Sequence, residues 1–121
     1  MNGSILVVDD DAAFRRLACT LLAGLGLAVA GEAGTVAAAM SAAGALKPSA
    51  ALVDVGLPDG DGIALARQLA ELPWRPRVVL TSSDAEAATA NDVRCSGAVA
   101  FIPKDKLPNA ALTNLLGRRH P

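Results

Sequence analysis

Apolar runs too short for helices alternate along this chain with longer stretches of helical period. Ile5 to Val8, Leu27 to Glu32, Ala50 to Val53, Val78 to Leu80 and Ala98 to Ile102 read as five strands. Several are continuously apolar, the pattern of strands covered on both faces. Helices are predicted at Ala12 to Leu25, Val36 to Ala45, Ile63 to Leu72, Ala85 to Cys95 and Leu107 to Leu116. In the first, Phe14, Leu17, Leu21 and Leu25 are spaced to line one face. Asp11 is placed to cap that helix and Gly26 to end it; Thr35 and Gly44 are expected to do the same for the second. The fourth is the weakest, being polar at Asn91, Asp92 and Arg94. Pro73 and Pro76 bracket a loop, whose Trp74 is expected to pack against helix three. Strand–helix alternation of this kind predicts an α/β fold, a doubly wound parallel sheet with helices on both faces and right-handed crossovers.

Composition narrows the picture. The 121 residues suit one domain, taken as 1–121. Hydrophobic residues make up 52% and aromatics 2%, so the core must be aliphatic. A net charge of -1 and a pI of about 5.7 offer nucleic acid no general attraction. Arg118, Arg119 and His120 read as a solvated basic tail, and no direct nucleic-acid contact is expected. Cys19 and Cys95 lack metal-ligand spacing and are expected as buried free thiols. There is no signal-like N-terminus, and the apolar stretch from Leu17 to Ala33 is broken by Gly24, Gly26 and Glu32. A cytoplasmic protein without a membrane partner is expected.

The chemistry lies where the strands end. Asp9, Asp10 and Asp11 follow the first, Asp54 the third, Thr81 the fourth and Lys104 the fifth. In an open parallel sheet these ends share one edge. Carboxylates brought together there repel one another unless a cation intervenes. Mg²⁺, with Mn²⁺ as a substitute, suits an all-oxygen set and commonly bridges carboxylates to phosphate. Asp54 could then attack phosphorus and form an acyl phosphate, with Thr81 and Lys104 stabilising the entering dianion. The other reading is an acidic loop edge with Thr81 and Lys104 merely solvated. Gly60 and Gly62 make no nucleotide loop, because no Lys-Ser/Thr pair follows. The turn after Val8 lacks the glycines of a dinucleotide site.

Ile5 to Asp11, Leu52 to Gly62, Val79 to Ser83 and Gly97 to Lys104 together resemble the receiver domain of bacterial two-component response regulators. The resemblance runs through essentially the whole chain and keeps the family's order and spacing. It implies a flavodoxin-like sheet of strand order 2-1-3-4-5. It also implies that Asp9, Asp10, Asp54 and the carbonyl of Gly56 hold Mg²⁺, that Asp54 accepts the phosphoryl group, and that Thr81 and Lys104 contact it. Asp11 falls to a cap or neighbour role. Thr81 and Phe101 match the switch pair whose rearrangement alters the face of helix four, strand five and helix five. The implied partners are a histidine kinase or phosphotransfer protein, docking near Phe14 to Cys19 and the loop after Lys104, and a downstream protein target. Phosphorylation-promoted homodimerisation is a further implication. The module is expected to catalyse only its own phosphorylation and slow dephosphorylation.

Two departures stand out. Gly56 replaces the larger side chain that family members often carry there, and Asp105 follows Lys104 where many have a cis proline. A trans Lys104–Asp105 bond is therefore expected. The stretch Gly97 to Asp105 looks like receivers of the LuxR/NarL type, which are usually joined to a helix-turn-helix output domain. No such domain lies within these 121 residues, so a stand-alone receiver or a fragment of a longer regulator is expected. The alternative function is a phosphorylation-independent interaction module with the same fold. A small-molecule phosphohydrolase fits poorly, because Gly56 stands where its second acid would be.

Overall fold

Residues 4–117 are described by the structure, a computed structural model. Its main sheet contains β1 (Ser4–Val8), β2 (Ala28–Ala33), β3 (Ala50–Asp54), β4 (Arg77–Ser82) and β5 (Ala100–Pro103). All neighbours pair in parallel, in the order β2-β1-β3-β4-β5. The order reverses beside β1, so the ends of β1 and β3 border the crevice where such folds place ligands. Five helices follow the strands: α1 (Ala12–Gly24), α2 (Val36–Leu46), α3 (Gly62–Ala70), α4 (Ala90–Ser96) and α5 (Leu112–Leu116). Among the described residues no helix is long and apolar enough to cross a membrane.

The two-residue period of the strands sorts the core. Ile5, Val7, Ala50, Leu52 and Val79 pack with Ala18, Leu22, Leu107, Leu112 and Leu116, the α1 and α5 side. Leu6, Val8, Ala51, Val53, Val78 and Leu80 pack with Ala39, Ala43, Leu65, Ala66 and Leu69, the α2 and α3 side. Both sets are aliphatic, as the scarcity of aromatics requires.

Several expected boundaries shift for local reasons. α1 buries Ala18 and Leu22, while Leu17 is 65% and Leu25 43% exposed, so its inward face is rotated from the one first read. α2 continues past Gly44 to Leu46 and ends at Lys47, which is left-handed at φ 46°. Pro48 follows and disfavours helical backbone before it. α4 begins at Ala90 instead of Ala85. Asp84 accepts the amide of Glu86, an Asx turn that competes with helix, and Thr89 with Asp92 forms a capping box. The final helix is split into a 3-10 turn over Lys104–Asn109 and the short α5. Pro108 lacks the amide a continuous helix needs.

Other expectations fare unevenly. Asp11 and Thr35 cap α1 and α2 as expected. Cys19 is only half-buried and Cys95 is exposed, which corrects the reading of both as buried. Burial, then the neighbouring Glu32, pushes the Cys19 thiol up. Trp74 donates from its indole to the Pro48 carbonyl at 3.0 Å and so ties two loops at the edge away from the acids. No cis peptide occurs among the described residues, so Lys104–Asp105 is trans. The basic tail lies outside the described residues.

Candidate functional site

Strand alternation brings the polar residues together. Asp9 continues the phase of Ile5 and Val7, Asp54 that of Ala50 and Leu52, and Thr81 that of Val79. Lys104 continues the phase of Ile102, which packs on the same side. In register, Val8 lies beside Val53, Asp54 beside Thr81, and Thr81 beside Ile102. Four separate strand ends thus deliver their side chains to the α1 side of one edge.

Carboxylate oxygens of Asp9, Asp10 and Asp54 lie within 4.8 Å of one another. Asp9 is fully buried, Asp54 nearly so, and Asp10 exposed. Lys104 Nζ stands 2.8 Å from Asp9 Oδ2 and 3.7 Å from Asp54 Oδ2. Three carboxylates face one ammonium. Asp9 Oδ1 accepts the Asp11 amide at 2.8 Å. Asp9 Oδ2 has no hydrogen-bond partner, because the close Lys104 contact has the distance of an ion pair without the alignment of a hydrogen bond. A buried carboxylate oxygen with unused lone pairs, beside two more carboxylates, fits a hard cation.

The same crowding acts on Asp54. Its carboxyl is pushed up from 3.8 to about 6, first by burial and then by the Asp9 charge, with Lys104 and the Gly56 amide opposing. That amide donates to Asp54 Oδ1 at 3.4 Å. Gly56 is exposed, and a Cβ built on it meets nothing within 4 Å. The Thr81 hydroxyl is fully buried and donates to the Ile102 carbonyl at 2.7 Å. Phe101 lies half-buried against the α2 and α3 side of the core, across the sheet from Thr81's phase.

Three features support the site, the first two of them without any signal in the sequence. Arg15 donates to the Asp9 carbonyl at 2.6 Å and pairs with Glu32 at 3.0 Å, fastening the end of β1 to β2. Asp59 accepts the amides of Val36 and Ala37, at 2.7 and 3.1 Å, so the loop after Asp54 is moored to the start of α2. Those bonds hold the Asp59 carboxyl below its ordinary value. Gly62 opens α3 with its amide on the Val55 carbonyl at 2.7 Å, and a Cβ there would run into the Asp54 carbonyl. The Asp-Gly-Asp-Gly sequence was readable as a turn. Its partner on a distant helix was not.

Beside the acids, Phe14, Leu17, Ala18, Leu21, Leu107 and Pro108 line a small apolar groove of about 110 Å³, with Lys104 at its end.

Comparisons with known proteins agree with this architecture. The model of the response regulator receiver domain matches residues 5–116. The DNA-binding transcriptional activator DevR/DosR of Mycobacterium tuberculosis is 41% identical over 103 residues, covering 84% of this chain and 47% of that protein. The KDP operon transcriptional regulatory protein KdpE of Escherichia coli is 38% identical over 84 residues, 69% of this chain and 37% of that protein. The chain thus spans about half or less of these relatives. The signal receiver domain of the response regulator NarL from Mycobacterium tuberculosis superposes with a TM-score of 0.79 at 31% identity, covering 88% of this chain and 87% of that one. With the sheet order and the acidic edge already described, these matches place the chain in the response regulator receiver family.

Proposed function

We propose that residues 1–121 act as a single phosphorylation-dependent switch of a two-component phosphorelay. Asp54 accepts a phosphoryl group from a histidine kinase or phosphotransfer protein. The observation that carries this reading is the convergence of three carboxylates and one lysine on one sheet edge, where the buried Asp9 Oδ2 is ion-paired with Lys104 but takes no aligned hydrogen bond.

Asp9, Asp10, Asp54 and the Gly56 carbonyl would hold Mg²⁺, or Mn²⁺ in its place. The bound ion supplies charge neutralisation and orientation of the phosphoryl oxygens. An ionised Asp54 oxygen attacks phosphorus, and the new O–P bond replaces the bond to the donor nitrogen. The electron pair of the broken bond leaves with that nitrogen, which takes up a proton. Lys104, already near Asp54, pairs with a phosphoryl oxygen. Thr81 must leave the Ile102 carbonyl to donate to another. That movement opens room for Phe101 and biases the face of α4, β5 and α5, to which a downstream protein target or a second copy of the chain binds. Phe lacks the hydroxyl of a tyrosine, so packing alone carries the bias. The module catalyses only its own phosphorylation and slow dephosphorylation.

The apolar groove beside Lys104 supports docking of the donor protein there. Leu17 is exposed at its rim. Leu17→Glu is expected to slow transfer from a kinase at least several-fold and leave phosphorylation by a small donor unchanged. Equal loss with both donors would move the docking surface elsewhere. At Gly56 the open space leaves attacking water unhindered. Gly56→Asn is expected to prolong the phosphoryl lifetime several-fold in a dephosphorylation time course; an unchanged lifetime removes that role.

The switch itself is tested by the backbone amide spectrum with a small phosphodonor and Mg²⁺. Shifts should spread from Asp54 through Thr81 to residues around Phe101, and Asp54→Asn should show none. Phosphorylation with an undisturbed Phe101 face would favour the alternative, an interaction module insensitive to phosphorylation.

A further inference from the structure

Phe14 lies outside the acidic set yet touches its cation. Lys104 Nζ sits 4.1 Å from the centroid of the Phe14 ring. Cations near a ring face are attracted by its negative quadrupole. The same ammonium has an unaligned contact with Asp9 and a longer one with Asp54. These ion pairs attract the ammonium but do not set its direction, and a flexible four-carbon side chain can meet them in several rotamers. Its side chain is nevertheless only 18% exposed. The ring supplies the wall that the carboxylates do not.

Backbone geometry fixes that wall relative to the acids. The Asp11 amide donates to Asp9 Oδ1 at 2.8 Å, and the Phe14 amide donates to Asp11 Oδ1 at 3.4 Å. Asp9 and Phe14 are therefore joined through Asp11, and Lys104 contacts both. Phe14 also lines the apolar groove with Leu17, Leu21 and Leu107. A leucine at 14 would serve the groove, but it has no quadrupole to offer an ammonium.

We propose that Phe14 is a positioning residue for phosphoryl transfer, its ring face holding the Lys104 ammonium in the acidic pocket. The inference rests on the reading of Asp54 as phosphoacceptor.

The test replaces Phe14 with mono-, di- and trifluorinated phenylalanine, and separately with leucine. Fluorine drains charge from the ring face with little change in size. Single-turnover phosphorylation by phosphoramidate at saturating Mg²⁺ is followed by intact mass. The Lys104 Cε proton shifts are read on the same samples. With wild type phosphorylated, the rate is expected to fall stepwise with fluorine number, by about threefold to tenfold across the series. Phe14→Leu should abolish the ring-current displacement of the Lys104 Cε protons. The thermal midpoint should fall in step with fluorination, and Lys104→Met should flatten that dependence. A phosphorylated wild type with a flat rate series would overturn the inference and leave the phosphoacceptor reading intact. A wild type that takes no phosphoryl group, while folded and binding Mg²⁺, would overturn that reading and this inference with it.

Discussion

Asp54→Asn is expected to stabilise the fold at pH 7 by about 1–2 kcal/mol in the absence of divalent metal. Burial and the Asp9 charge raise the Asp54 carboxyl from 3.8 to about 6. Between those values the folded chain holds a proton that the unfolded chain has released. Wild-type stability should therefore be greatest, for this group, below about pH 4 and fall as pH rises to about 6. Two pH units correspond to about 3 kcal/mol, reduced here because water still reaches part of the carboxylate. Asparagine keeps the shape and removes the charge, so the part of the pH slope that Asp54 contributes in this window should vanish. Urea denaturation in chelator from pH 4 to pH 8 measures both curves. Mg²⁺ should stabilise wild type more at pH 7 than at pH 5, where protonated Asp54 competes with it. An Asp54→Asn protein no more stable than wild type at pH 7 would mean that the buried, crowded Asp54 charge does not strain the fold.

Gly62→Ala should do the opposite. The added methyl meets the Asp54 carbonyl and comes within 2.8 Å of Val55 Cα, backbone atoms that cannot rotate away. Either α3 moves out or the end of β3 moves, at a cost of about 3 kcal/mol. Phosphorylation should slow as well, since the displaced backbone carries Asp54. By contrast, Gly56→Ala opens into free space and should be nearly neutral for stability. Chemical denaturation of the pair gives the comparison; equal stabilities would mean that the α3 entry yields without strain.

Much of this fold was legible because its strands are short and apolar, and the three inner ones are buried on both sides. The five strands of the main sheet lie where the apolar runs fall, and their order follows from the family likeness; the two-residue antiparallel pair Gly56–Leu57 and Gly60–Asp61 had no such run to mark it. The meeting of Asp9, Asp54, Thr81 and Lys104 at one edge was legible for the same reason: each sits at the end of a run. What escaped were features set by one polar side chain. Asp84 and Thr89 delay α4, and Pro108 divides the last helix. Alanine-rich α1 offered two plausible faces, and small Ala18 with Leu22 won the closer approach to the sheet. Long-range mooring by Asp59 and Arg15 has no local signature. The contact of Phe14 with Lys104 joins residues 90 positions apart, and Phe14 had read as part of a helix face and of the docking surface.

Intact mass after incubation with phosphoramidate, with and without Mg²⁺, on wild type and Asp54→Asn tests the central claim most directly. The account predicts one Mg²⁺-dependent phosphoryl adduct on wild type and none on the variant. An adduct of equal yield on Asp54→Asn, or no adduct on folded, Mg²⁺-bound wild type with phosphoramidate or a panel of kinases, would contradict it.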